Sequence, residues 1–166
     1  MFKKKILITG VSGLVGTVLA ESLKETYEVS GVDLKESLEV PTLQADCSNL
    51  EEMLPAFSGV DTVIDLASNP SQYSEWDIIH DVNLKCTSNA LEAAKICGVQ
   101  RVIFASSNHA TGMYETDIPY RRIVKGDYSG IERDAIPLVS TDMPVRPDGP
   151  YGIAKAFGEA AGRFYS

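Results

Sequence analysis

Long apolar runs are missing from this chain, and so is any excess of positive charge. No stretch approaches the ~20 consecutive apolar residues that a spanning helix needs. Lys3, Lys4 and Lys5 precede only the short run Ile6–Ile8 and a glycine turn, the pattern of a strand and not of a secretory leader. The formal net charge is −8 and the isoelectric point about 4.7. Such a surface repels phosphate backbones and anionic lipid, so neither nucleic acid nor a membrane is expected as partner. Cysteine is scarce and odd in number: Cys47, Cys86 and Cys97, without metal-ligand spacing. Cys86 and Cys97 are separated by ~16 Å if both lie on one helix, beyond disulfide reach. A reducing, cytoplasmic setting is therefore expected. His80 and His109 are the two histidines, and neither has companions spaced for a metal.

What the chain does contain is a regular alternation. With 166 residues, 44% hydrophobic and 23% charged, it has enough material for one domain with a real core. Strands are predicted over Lys5–Thr9, Tyr27–Asp33, Thr42–Asp46, Asp61–Ala67 and Gln100–Ser106. Helices are predicted over Gly13–Thr26, over Asn49–Phe57 with Ser48 as N-cap, and over Trp76–Cys97 with Gly98 closing the last turn. Strand and helix in alternation predict a doubly wound parallel sheet, α/β in class, with helices on both faces. A single domain over residues 1–166 follows. Residues 108–150 break the rhythm with five scattered prolines. So long a connection is usually functional, and a covering segment over the strand ends is expected.

Chemistry gathers at a few places. The turn Thr9-Gly10-Val11-Ser12-Gly13-Leu14-Val15-Gly16 lies between the first strand and the first helix. Its glycines suit a tight turn, close backbone approach to a pyrophosphate, and close packing of helix on strand, with helix amides facing the anion. Asp33 ends the second strand, where a carboxylate accepts from ribose hydroxyls and repels a 2′-phosphate, so NAD is expected over NADP. Asp46 follows the third strand and can meet an adenine. Ser106 and Ser107 end the fifth strand, where open parallel sheets place ligands, although serines also cap turns there. Asn83 stands among Val82, Leu84 and Cys86, and a structural and a catalytic role are equally open. Tyr120–Lys125 is a small basic patch, either a solvated face or an anion contact. Near the end, Tyr151 and Lys155 lie four apart at a helix start, on one face, with Cβ atoms roughly 5–6 Å apart. An ammonium beside a phenol makes that phenol a better general base.

These residues, in this order, resemble the extended short-chain dehydrogenase/reductases, in particular their NAD-dependent epimerase/dehydratase branch. The stretches Ser106-Ser107-Asn108-His109, Arg146–Gly152 and Lys155–Glu159 look most like uronate dehydrogenases. The resemblance implies cofactor contacts at Gly10, Ser12, Gly13, Leu14, Gly16, Asp33, Asp46, Cys47, Leu66, Ala67, Ser68, Asn83, Tyr151 and Lys155. It implies a catalytic set of Ser107, Tyr151, Lys155 and Asn83, and sugar contacts from Ser107, Asn108, His109 and Tyr151. Tyr151 would take a proton from a sugar hydroxyl while hydride passes to NAD.

The function so implied is oxidation of a hexuronate or aldose. A nucleotide-sugar 4-epimerase, and a short NAD-binding module without turnover, are the alternatives. A homodimer paired through the Trp76–Cys97 and Tyr151–Tyr165 helices is implied as well. There are departures: relatives often carry histidine at the Asp65 position and glycine at Cys86, and their segment before the Tyr-Lys helix is shorter. Relatives also continue well beyond this helix, so the chain is expected to be C-terminally truncated, with most of a substrate domain lacking.

Overall fold

The computed structural model describes residues 3–166. Five strands form one parallel sheet: β1 (Lys5–Thr9), β2 (Glu28–Asp33), β3 (Thr42–Gln44), β4 (Thr62–Asp65) and β5 (Arg101–Phe104). Their order is β3-β2-β1-β4-β5, and every pairing is parallel. The chain therefore runs outward to one edge, returns past β1, and continues to the other edge. That reversal opens a crevice at the carboxyl ends of β1 and β4, where ligands bind in open α/β sheets. No helix among the described residues is long and apolar enough to cross a membrane.

Alternation along β1 divides the core in two. Ile6 and Ile8 point to one face, where they pack with Val11, Ala20, Val29 and Val40 beneath α1 (Leu14–Leu23). Leu7 points to the other face, with Val32, Val63, Met53, Phe57, Ala90, Ala93 and Ala94. A strand covered on both faces reads as a continuous apolar run, which is what Ile6-Leu7-Ile8 is.

Several predicted elements differ in detail. The helix expected over Asn49–Phe57 is α2 (Leu50–Met53) followed by a 3₁₀ turn at Leu54–Phe57. Its N-cap is Asn49, not Ser48: the Asn49 side chain accepts from the Glu51 amide, and Pro55 tightens the second half. The long helix expected over Trp76–Cys97 begins as α3 (Trp76–Ile78), passes through a π-helical turn at Ile79–Leu84, and continues as α4 (Lys85–Ile96). It ends where expected, with Gly98 in the left-handed region at φ +68°. β1 has its predicted bounds, whereas β4 and β5 are each three residues shorter than predicted, because the residues past Asp65 and Phe104 already turn into the crevice.

Residues 108–149 carry small elements of their own. These are 3₁₀ turns at Asn108–Ala110, Gly112–Thr116 and Arg133–Ala135, and α5 (Tyr120–Val124). Side chains tie them together. Arg146 pairs with Asp117 while its guanidinium stacks 4.5 Å from the Tyr114 ring centroid. Tyr114 and Tyr120 donate to the carbonyls of Pro144 and Pro137. The final helix, α6 (Pro150–Tyr165), packs beside α4, and the Tyr165 hydroxyl donates to Glu92 at 2.7 Å.

Candidate active site

At the carboxyl end of β1 the chain makes a tight turn. Gly10 has φ +68°, and a Cβ there would lie 3.0 Å from the backbone of Ala67. A Cβ at Gly16 would lie 2.4 Å from the Gly10 carbonyl oxygen and 2.7 Å from Val11 Cα. The first turn of α1 is thus seated directly on the turn that precedes it, at a distance only glycine allows. No side chain caps this helix, and no acid stands in its first turn. Its leading amides lack partners within the helix, and such a start can hold an anion.

The neighbouring strand ends are held by a short chain of buried hydrogen bonds. Thr9 and Asp65 are register partners on β1 and β4, so their side chains emerge side by side. The Thr9 hydroxyl donates to Asp65 Oδ1 at 2.6 Å and accepts from the amides of Leu66 and Ala67, each at 3.0 Å. Phe104 continues the same row on β5. Above it lies Lys155, 6% exposed, with Nζ 5.0 Å from the Phe104 centroid and donating to the Ala105 carbonyl at 2.9 Å. α6 can approach this closely because Gly158 meets Phe104: a Cβ there would come within 2.2 Å of the ring.

Burial sets the electrostatics of this row. It pushes the Asp65 carboxyl up to about 6, against the pull of the Thr9 hydroxyl, Lys155 and the Ala67 amide. It also draws the Lys155 ammonium below its ordinary range, with the Asp65 charge opposing it. Both shifts run toward the neutral forms, so desolvation outweighs the attraction between the two groups. Burial likewise raises the thiols of Cys47 and Cys86, the latter to about 12. Neither is poised as a nucleophile.

These elements enclose a cavity of about 710 Å³, within the usual range for small-molecule sites. Most of the residues singled out in the sequence line it: Gly10, Gly13, Leu14, Gly16, Asp33, Asp46, Cys47, Leu66, Ala67, Ser68, Tyr151 and Lys155. Asp33 is already oriented, accepting from the amides of Ser12 at 3.0 Å and Lys35 at 3.1 Å. Asp46 accepts from the Ser48 amide at 2.8 Å. Lys155 Nζ lies 5.5 Å from the Tyr151 ring centroid, on the same face of α6.

Five singled-out residues stand outside that lining. The Ser12 hydroxyl donates to the Lys35 carbonyl at 2.7 Å and so joins the first two crevice loops. Asn83 is 3% exposed and clamps the backbone of Asn69, accepting from its amide at 2.8 Å and donating to its carbonyl at 3.1 Å. Ser107 caps the Asn108–Ala110 turn, accepting from the His109 amide at 3.2 Å, and its hydroxyl also donates to Asn108 Oδ1 at 3.3 Å. His109 pairs with Asp148 and lies edge-to-face with the Tyr151 ring, centroids 5.7 Å apart. Ser107, Asn108 and His109 thus form a second group beside Tyr151.

Asn69, Pro70 and Val82 line the cavity without having been singled out. The Asn-Pro pair following β4 was the available signal for the first two, since it marks a fixed turn. Ser106, not Ser107, lines the wall after β5, with its hydroxyl bonded to Glu159.

The pattern of the NAD dependent epimerase/dehydratase family matches residues 6–166. The chain belongs to that family. It is 33% identical over 98% of its length to an L-arabinose 1-dehydrogenase (NAD(P)(+)) of Haloferax volcanii, covering 61% of that protein. It is 29% identical over 97% of its length to a uronate dehydrogenase of Pseudomonas putida, covering 55%. The crystal structure of uronate dehydrogenase from Agrobacterium tumefaciens superposes with a TM-score of 0.78 at 29% identity, over 98% of this chain and 55% of that one. A UDP-galactose 4-epimerase structure superposes at 0.75 with 28% identity, over 97% and 51%. The chain therefore spans roughly half to three fifths of the length of these relatives.

Proposed function

We propose that this chain forms the NAD-binding and proton-accepting part of a sugar dehydrogenase that oxidises a hexuronate or aldose. One observation carries the reading: Tyr151 and Lys155 stand on the wall of the same cavity as the glycine turn and Asp33. The residues fit the cofactor. A cradle at Gly10 and Gly16 that any Cβ would fill suits a pyrophosphate, and the uncapped start of α1 supplies the amides. Asp33 spends one lone-pair direction on Ser12 and one on Lys35, and retains others for ribose hydroxyls. Asp46 and Cys47 wall the side next to β3, where an adenine fits. NAD, when bound, supplies the hydride acceptor.

The rest belongs to the chain. The Tyr151 hydroxyl takes the proton of the sugar hydroxyl being oxidised. Lys155, anchored on the Ala105 carbonyl, places positive charge beside that phenol and a donor toward the ribose. Ser107 orients the sugar from the end of β5, and Asn83 fixes the Asn69 loop at the cavity wall. The likeness to an L-arabinose 1-dehydrogenase and to uronate dehydrogenases supports a dehydrogenase over the nucleotide-sugar epimerase.

Calorimetric titration with NAD and NADP at one salt concentration tests the cofactor assignment. NAD should bind more tightly, and tighter NADP binding would remove Asp33 from the ribose. NADH production across aldoses and uronates tests the reaction. We further propose a homodimer through α4 and α6, where Ile96, Phe157 and Phe164 are exposed. Light scattering at tens of micromolar that gives a monomer mass would refute it.

A further inference from the structure

Beside Tyr151, and outside the cofactor cavity, His109, which the resemblance places at the sugar, is paired with Asp148, which the reading above leaves without a role. His109 Nδ1 lies 2.7 Å from Asp148 Oδ2. The side chains are 25% and 33% exposed, so this is a partly desolvated contact and not a solvated surface pair. The backbone is shaped around it. A Cβ at Gly112 would lie 2.1 Å from Asp148 Oδ2, and one at Gly152 would lie 2.2 Å from the His109 carbonyl oxygen. That carbonyl also accepts from the Asp148 amide at 3.3 Å. From the other side the Ser107 hydroxyl accepts from the His109 amide. The imidazole is held edge-to-face with Tyr151 at an interplanar angle of 81°.

A carboxylate has only acceptors to offer, so the nitrogen facing it must carry a hydrogen. The proton of a neutral His109 is then on Nδ1, and Nε2, on the far side of the ring from Asp148, is left as a bare lone pair. We propose that Asp148 is a positioning residue that fixes His109 in the Nδ1–H form beside Tyr151, so that the ring recognises a hydrogen-bond donor on the substrate. The group received there is a hydroxyl of a polyhydroxylated substrate, not its carboxylate or carbonyl oxygen. This rests on the assignment of Tyr151 as the reacting base. The arrangement follows the logic by which a buried acid sets the tautomer of a catalytic histidine, but here histidine acts through recognition.

The chain contains two histidines, which makes the tautomer directly readable. Nitrogen-15 spectra of the imidazoles are recorded on the whole chain at about pH 8.5, above the ordinary histidine range. His80→Gln assigns the signals. His109 should show a protonated Nδ1 and an unprotonated Nε2 as its main form. A main form protonated at Nε2, alone or together with Nδ1, would overturn the proposal. Asp148→Ala should shift the main form toward Nε2–H, with folding checked by circular dichroism. A folded Asp148→Ala chain with an unchanged tautomer would also overturn it. Should that variant unfold, Gly112→Ala displaces the carboxylate instead and must give the same shift. Because no cofactor or sugar is present, failure here is distinct from failure to bind NAD.

Discussion

The two walls that meet at Tyr151 are built by different means. The cofactor wall, from Gly10 to Ala67, is mainly backbone: a left-handed glycine and a helix seated on its own entry turn, with the Thr9 and Asp65 side chains linking the strand ends. The wall that runs from Ser107 through residues 108–149 is made of side chains: the His109–Asp148 pair, the Arg146–Asp117 pair, and two tyrosine hydroxyls reaching carbonyls. Backbone geometry is indifferent to most substitutions, whereas a side-chain wall changes with each residue. The first suits a ligand common to a family, the second a ligand that varies within it.

Three substitutions separate the walls. The largest effect is expected from Tyr151→Phe. For each sugar that the chain oxidises, turnover should fall about 10²–10⁴-fold while NAD affinity is retained. Steady-state rates with calorimetry on the same sample check this, and near-normal turnover would take Tyr151 out of the reaction.

Next comes Gly16→Ala, which puts a methyl 2.4 Å from a backbone oxygen that cannot swing away. NAD affinity should drop about tenfold or more, the equivalent of roughly 1.4 kcal/mol. The His109 nitrogen signals should stay where they are. If they move, the walls are not independent.

Asp65→Asn concerns the joint between the walls and should act on stability. The folded Asp65 holds its proton to about 6, while an unfolded aspartate releases it near 3.8. The contribution of the wild-type residue is therefore fully present below that lower value and is lost as pH rises through the upper one. The asparagine variant escapes the loss. It should be the more stable chain at pH 7–8, by up to about 3 kcal/mol, with no advantage near pH 4. Denaturant unfolding across that range checks the sign. A variant less stable than wild type at neutral pH would mean that Asp65 is held ionised by Lys155.

The same division explains what was legible in the sequence. The glycine spacing, the acid ending β2 and the four-residue step from Tyr151 to Lys155 are local patterns, and all of them stand on one cavity. The alternation of strand and helix segments along the chain, each a local pattern, marked the doubly wound sheet for the same reason. What was not legible depends on partners distant in the chain. Nothing near Asp148 says that it meets His109, because glycines at 112 and 152 make the room. Asn83 left two roles open because its partner, the backbone of Asn69, is named by no side chain. The Asn49 cap and the 3₁₀ turn after it were misplaced by one residue and one helix type, since Ser48 and Asn49 are equally good caps.

The π-helical turn at Ile79–Leu84 has a consequence of counting. A π turn holds one residue more than the α turn it replaces, and each α-helical residue advances the helix by about 100°. Were this stretch wound as α throughout, α3 and α4 would be rotated against each other by roughly that angle. The Asn83 amide could then no longer meet both backbone groups of Asn69 while α4 kept Ala90, Ala93 and Ala94 in the core. The number of residues between Trp76 and the start of α4 is thus itself a part of the binding wall, as much as any side chain on it.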